Sequence, residues 1–271
     1  MVAATWPRSA GLLPFVIAGL LLAGPTTVEA DEAAPDAAYY YSTINALMRA
    51  LYDGDMTVGG LARHGDHGLG TVNGLNGELV IIDGASYQVR ADGGVRRLQG
   101  SERTPFAVVA RFEADRVVPL PASLDMSGLE RILDGEIGNP NFFQAIRIDG
   151  AFPGVALRSV PRQTPPYRPL ADVVKEEQST FELKDARGTL IGFRSPDYAG
   201  GITVPGYHFH FISDDRRHGG HLLGITTGPG TIRIDEMAAF EVELPRNTAF
   251  GALDLGDRGD AELDAVEKGR R

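Results

Sequence analysis

The chain has no cysteine in its 271 residues. Disulfides are therefore excluded, and so is any zinc site built on thiolates. The fold must be held by its apolar core. Basic residues are in the minority, 26 Lys and Arg against 36 Asp and Glu, giving a formal net charge of -10. No basic patch occurs at useful density, which argues against nucleic acid as a partner. A small anionic substrate stays compatible, because one arginine inside a pocket overrides the global sign. Long apolar runs are missing as well. The stretch Gly11–Ala23 is too short to span a bilayer and is interrupted by Pro14. There is no internal repeat, and no glycine-rich phosphate or dinucleotide loop.

What is present begins with a leader. Arg8 precedes the apolar stretch, and Val28-Glu29-Ala30 closes it in the pattern of a cleavage site. Residues 1–30 read as a signal peptide cut near Ala30. An exported protein with no stable membrane anchor is expected, either periplasmic or secreted. About 240 residues then remain, enough for one large domain or two small ones.

Periodicity organises the rest. Tyr40, Ile44, Leu47, Met48 and Leu51 recur at helical spacing, so a helix is expected over Tyr39–Leu51. The glycines between Met56 and Thr71 argue against a long regular element, and His64 and His67 read as turn residues. Leu79–Ile82 is a strand core, followed by Asp83-Gly84 as a hairpin signal and Ala85–Arg90 as partner. Glu78 begins that strand and, taken alone, reads as a solvated edge residue. Further strands are expected at Phe106–Phe112, Val117–Leu120, Ile146–Asp149 and Val155–Val160. Ser127 and Glu130 suggest a capping box at the head of a short helix. Ala156, Arg158 and Val160 share one strand face, where Arg158 is either an edge residue or a buried carboxylate clamp. Leu170–Glu177 reads as a helix. From Ser179 to Leu244 the chain reads as strand after strand: 179–184, 189–194, 202–204, 207–212, 221–225, 231–235 and 240–244. This is the pattern of a small antiparallel barrel or curled sheet. Leu263 and Val266 could anchor a last short helix in the charged tail.

Three of the six histidines fall close together, at His208, His210 and His221. Strand alternation puts His208 and His210 on one face of Tyr207–Ile212 and Tyr207, Phe209 and Phe211 on the other. The polar stretch from Ser213 to His218 reads as a turn, with Gly219-Gly220 relaxing its backbone. The next strand would bring His221 beside the pair. Three imidazoles with an open position suit zinc, a borderline-soft cation. The spacing alone leaves open a second reading, a polar strand face with no metal.

Three longer blocks add to this hairpin: Arg63–Thr71 continuing through Asn73–Glu78; Leu157–Gln163 with Pro166-Tyr167; and Gly206–Leu223. In them the chain resembles the acetolactate decarboxylases, from about Leu47 to about Glu267. One departure is Asn76, where the family usually has aspartate. The resemblance implies an α/β, strand-rich fold in two domains: an N-terminal mixed sheet with helices over 31–160, and a C-terminal antiparallel barrel-like domain over 161–271 whose tail returns to the active site. It implies Zn2+ held by His208, His210 and His221. It places the active-site arginine on Arg158 and one glutamate on Glu78. A second falls on Glu267, with Glu262 close by as the other candidate. It also implies a homodimer.

The implied reaction converts 2-acetolactate, a small anionic 2-hydroxy-3-keto acid, to acetoin and carbon dioxide. Loss of carbon dioxide leaves an electron pair that the neighbouring ketone takes up as an enediolate. The substrate supplies its own electron sink, so no organic cofactor is required. Zinc is the expected Lewis acid for the developing oxyanion. Other readings of the same histidines are an exported zinc hydrolase, or a metal- or acid-binding protein without turnover.

Overall fold

The computed structural model describes residues 1–3, 36–256 and 259–267. Beyond its first three residues, the expected leader lies outside the described residues. In chain order the strands are β1 (Ala37–Tyr41), β2 (Met56–Thr57), β3 (His67–Thr71), β4 (Glu78–Ile82), β5 (Ala85–Val89), β6 (Val95–Arg97), β7 (Arg103–Thr104), β8 (Ala107–Ala110), β9 (Arg116–Leu120), β10 (Phe143–Ser159), β11 (Ser179–Ser195), β12 (Gly206–Ser213), β13 (Gly219–Thr226), β14 (Gly230–Met237) and β15 (Ala239–Glu243). The helices are α1 (Ile44–Met48), α2 (Val58–Leu61), α3 (Met126–Glu136), α4 (Leu170–Glu177), α5 (Thr248–Gly251) and α6 (Asp260–Glu267).

Two sheets carry the structure. The first has seven strands in the order β15-β1-β8-β3-β4-β5-β6. It is mixed, because β1 runs parallel to β15 and antiparallel to β8. The second has the order β11-β12-β13-β10-β14-β9, with β11 also paired to β10. All its pairings are antiparallel. A fold of α/β, strand-rich type with a mixed and an antiparallel sheet is thus what the chain forms, but the expected barrel is not. The strands expected at 146–149 and 155–160 are one 17-residue strand, and so are those at 179–184 and 189–194. Along β10 the first half pairs with β14 and the second half with β13, a register shift falling between Ala156 and Leu157. The sheet therefore curls, yet keeps β9 as an edge, which a closed barrel would not have.

Sheet membership does not follow a boundary at residue 160. The first sheet takes β15 from the later part of the chain, and the second takes β9 and β10 from the earlier part.

Local chemistry accounts for the other differences. Tyr39, Tyr40 and Tyr41 favour a strand and are paired on both sides, so no helix begins there. Ser42 turns the chain with φ at 67°. Thr43 then caps α1, its Oγ1 accepting from Ala46 N at 3.1 Å. The expected capping box at Ser127 is displaced by Asp125, whose Oδ1 accepts from Gly128 N at 2.8 Å. Residues 202–204 make only an isolated bridge between Gly200 and Thr203. His67 is a buried β3 residue rather than a turn residue, stacked on Phe112 with centroids 4.7 Å apart.

The sheets pack face to face. Val80, Ile82 and Val89 of the first meet Ile191 and Ile212 of the second. A separate cluster lies inside the curl of the second sheet, around Phe152, Leu157, Phe209 and Phe211. A third gathers α1, α4 and α6 over Leu75, Phe106 and Val160. This third cluster supplies the apolar wall of the site.

Candidate active site

Strand alternation decides which side chains reach the gap between the sheets. On β4, Val80 and Ile82 pack towards the second sheet, so Glu78 points the same way. On β12, Ile212 packs towards the first sheet, and His208 and His210 share its face. Phe209 and Phe211 turn into the curl instead. The hairpin thus has a polar face and a core face, as its alternation predicts.

Three strands place a row of functional residues side by side. His210 stands directly across from His221, and His221 directly across from Arg158. The turn between β12 and β13 is fixed by Ser213, whose N donates to the His218 carbonyl at 2.9 Å and whose Oγ accepts from His218 N at 3.0 Å. Gly219 and Gly220 are not in that turn. They open β13, where a Cβ on Gly219 would lie 2.6 Å from the Phe211 carbonyl oxygen. One on Gly220 would lie 2.8 Å from the Arg158 carbonyl oxygen. Their role is close approach of three strands, not a relaxed backbone.

The three imidazoles converge. Ring centroids are 5.1 Å apart for His208 and His210, 5.0 Å for His208 and His221, and 5.5 Å for His210 and His221. One ring nitrogen from each lies within 4.8 Å of the others. Burial disfavours the imidazolium, and the Arg158 cation disfavours it further. His208 is pushed down to about 3, and His210 and His221 fall well below the ordinary range. All three are neutral donors at physiological pH, the form a metal ligand requires. His210 Nδ1 lies 2.9 Å from the Leu79 carbonyl oxygen, an acceptor that leaves Nε2 as the free nitrogen.

Two glutamates and the arginine complete the cluster. Glu78 Oε2 is 3.5 Å from His210 Nε2, and its Oε1 is 3.8 Å from Arg158 Nη1. Glu267, at the end of α6, places Oε2 at 3.5 Å from His208 Nε2 and Oε1 at 4.0 Å from Arg158 Nη2. Glu262 is exposed on the outer face of α6, so Glu267 is the tail glutamate that arrives. Burial raises both carboxyls to about 7, against the opposing pull of Arg158; at Glu78 the neighbouring Glu267 raises it further.

Five polar atoms of the cluster lack partners. His208 Nε2, His210 Nε2, Glu78 Oε1, Glu267 Oε2 and Arg158 Nε are buried with no hydrogen-bond partner among the described residues. Leaving such atoms unmet costs roughly 1–3 kcal/mol each. A donor set of neutral imidazoles with orphaned nitrogens fits a divalent metal, and the unmet guanidinium and carboxyls fit a polar ligand beside it.

Sequence reasoning did not foresee the walls. Ile44, Leu47, Leu75, Phe106, Val160 and Leu170 line the same cavity. Only their hydrophobicity was visible, which marks core and pocket alike. The cavity measures about 40 Å³, room for roughly three waters. A larger cleft of about 430 Å³ lies elsewhere, lined by Asp66, Asp83, Asp149, Arg147 and Arg233. Asp149 pairs with both arginines there, at 2.9 and 2.5 Å. None of the histidine cluster lines it.

Fold and site together define a class: a two-sheet α/β protein with a buried histidine triad, set against an arginine and two carboxyls. The family is narrower. A profile for alpha-acetolactate decarboxylase matches residues 38–257. The alpha-acetolactate decarboxylase of Methanosarcina mazei is 44% identical over 235 residues, covering 87% of this chain and 81% of that one. That of Raoultella terrigena is 40% identical, covering 86% and 90%. The crystal structure of alpha-acetolactate decarboxylase from Bacillus subtilis superposes with a TM-score of 0.83 at 35% identity, covering 86% of this chain and all of that one. The chain belongs to the alpha-acetolactate decarboxylase family, and is a carboxy-lyase. The profile match ends before α6, so the position of Glu267 rests on the geometry.

Proposed function

We propose that this protein decarboxylates 2-acetolactate to acetoin and carbon dioxide at the cavity between the sheets, with zinc held by His208, His210 and His221. One observation carries the reading: three neutral imidazoles, a buried arginine and two carboxyls raised to about 7 face one small cavity. Zinc, when bound, supplies positive charge beside the ketone oxygen as the enediolate develops.

Arg158 orients the substrate carboxylate. It sits beside two glutamates rather than in a tight pair, so the guanidinium keeps donors for a ligand. The bond from the carboxyl carbon to its neighbour breaks, carbon dioxide leaves, and the electron pair moves onto the ketone oxygen. A proton must then return to the carbon that bore the carboxylate. Glu78 and Glu267, both raised to about 7 by burial in the metal-free site, are the carboxyls placed beside the cavity to return it. The apolar walls exclude water that would otherwise stabilise the starting carboxylate.

The test is zinc content measured together with turnover on racemic 2-acetolactate. Stoichiometric zinc and acetoin formation are expected. Zinc binding without acetoin would overturn the reading. Export and a homodimer belong to the same proposal. Intact mass of the exported protein beginning after Ala30, and light scattering at twice the chain mass, are the results expected.

A further inference from the structure

The nitrogen at which His221 meets the metal is not fixed by the strand that carries it. His221 Nε2 lies 3.0 Å from the main-chain carbonyl oxygen of Glu267. Glu267 is the last described residue of α6, and its main-chain carbonyl oxygen can only accept. Such a carbonyl accepts, so the imidazole Nε2 must carry the hydrogen. The neutral ring then has its lone pair on Nδ1. His210 is held in the opposite sense, since its Nδ1 faces the Leu79 carbonyl and its Nε2 is left free.

We infer that the C-terminal helix is a positioning element of the metal site: the Glu267 main-chain carbonyl fixes the His221 tautomer so that His221 presents Nδ1, while His210 presents Nε2. This rests on the reading of the three histidines as metal ligands. The helix is held in place by Leu263 and Val266, 3% and 2% exposed, which pack against Val160, Leu170 and Val174. The same two residues therefore hold the carbonyl in position. Its contribution is separable from that of the Glu267 side chain, because a substitution at 267 leaves the carbonyl in place.

Hydrogen-bond partners behind a ligand imidazole are worth about 10- to 100-fold in metal affinity. The full-length chain carrying both Leu263→Asp and Val266→Asp should release α6. Its zinc affinity, measured by competition with a chelator, should fall by about 10- to 100-fold. Glu267→Gln leaves the main-chain carbonyl in place, so His221 should keep its Nε2 proton in that variant. Independently, histidine-labelled wild-type protein loaded with zinc should show His221 metallated at Nδ1 and protonated at Nε2 in its long-range nitrogen–proton spectrum. Metallation of His221 at Nε2 overturns the inference, and so does wild-type zinc affinity in the doubly substituted chain. If wild-type protein takes up no stoichiometric zinc, the metal reading itself fails. Zinc uptake with the other tautomer removes only the role given to α6.

Discussion

Arg158 and Glu78 approach to 3.8 Å with side chains only 5% and 8% exposed, yet they stop short of a hydrogen bond. The spacing is wide for a structural ion pair and suited to a clamp whose acceptor is a ligand. Arg158→Lys keeps the charge but loses the planar fork. Turnover on 2-acetolactate should fall by about 100-fold, since small misplacements of a reacting group cost that much. Zinc should be retained. Undiminished turnover would remove Arg158 from the substrate site.

His208→Ala deletes one of the three ligand nitrogens while the hairpin keeps its turn and core face. Zinc and decarboxylation should be lost together. Metal analysis beside an acetoin assay checks this, and activity persisting in zinc-free protein would refute a Lewis-acid role.

Stability of chelator-treated protein should peak near pH 6.5. Four buried histidines, His67 with the three of the site, have folded pKa values below the ordinary 6.5. The unfolded chain therefore binds more protons below pH 6.5, and stability falls as pH drops from there. Glu78 and Glu267 are raised from 4.5 to about 7, so the folded chain binds more protons between those values. Their contribution falls as pH rises through 7. Asp235 is raised from 3.8 to about 7 in the same sense. Between 4.5 and 6.5 four histidines act against three carboxyls, and from there to about 7 the carboxyls prevail. Thermal melts across pH should show the maximum, and Glu78→Gln with Glu267→Gln should lessen the fall beyond it, leaving the part due to Asp235.

Gly220→Ala should destabilise by about 1–3 kcal/mol, the range for forced overpacking. Its Cβ meets the Arg158 carbonyl oxygen at 2.8 Å, so β13 must move away from β10. That shift carries His221 with it, and turnover should fall alongside the denaturation midpoint. A variant of wild-type stability and activity would show that the strands can part without consequence.

The histidine triad was legible because two rules suffice for it: alternation along β12, and a turn that returns the chain beside it. Arg158 was legible as an alternative, since its strand face held small and apolar neighbours. Glu78 was not legible from local pattern. Its burial comes from the second sheet, whose His210 lies 131 residues from the Leu79 carbonyl it contacts. That carbonyl, like the one at Glu267, carries no side-chain signature. The barrel was misread for a related reason. Periodicity locates strands, but it does not show that two of them run for 17 residues and change neighbours midway. The tyrosines at 39–41 share a helical spacing with the residues after them, and pairing on both sides decided for a strand.

The parallel pairing of β1 with β15 has a consequence for how the molecule is made. Tyr40 aligns with Val242, so the first sheet gains its outermost strand only once synthesis has passed residue 243. Glu78 must wait longer still for Glu267. The sheet that carries Glu78 is thus left with an open edge until β15 has been made. A product truncated before residue 239 would lose that edge strand and Glu267 together.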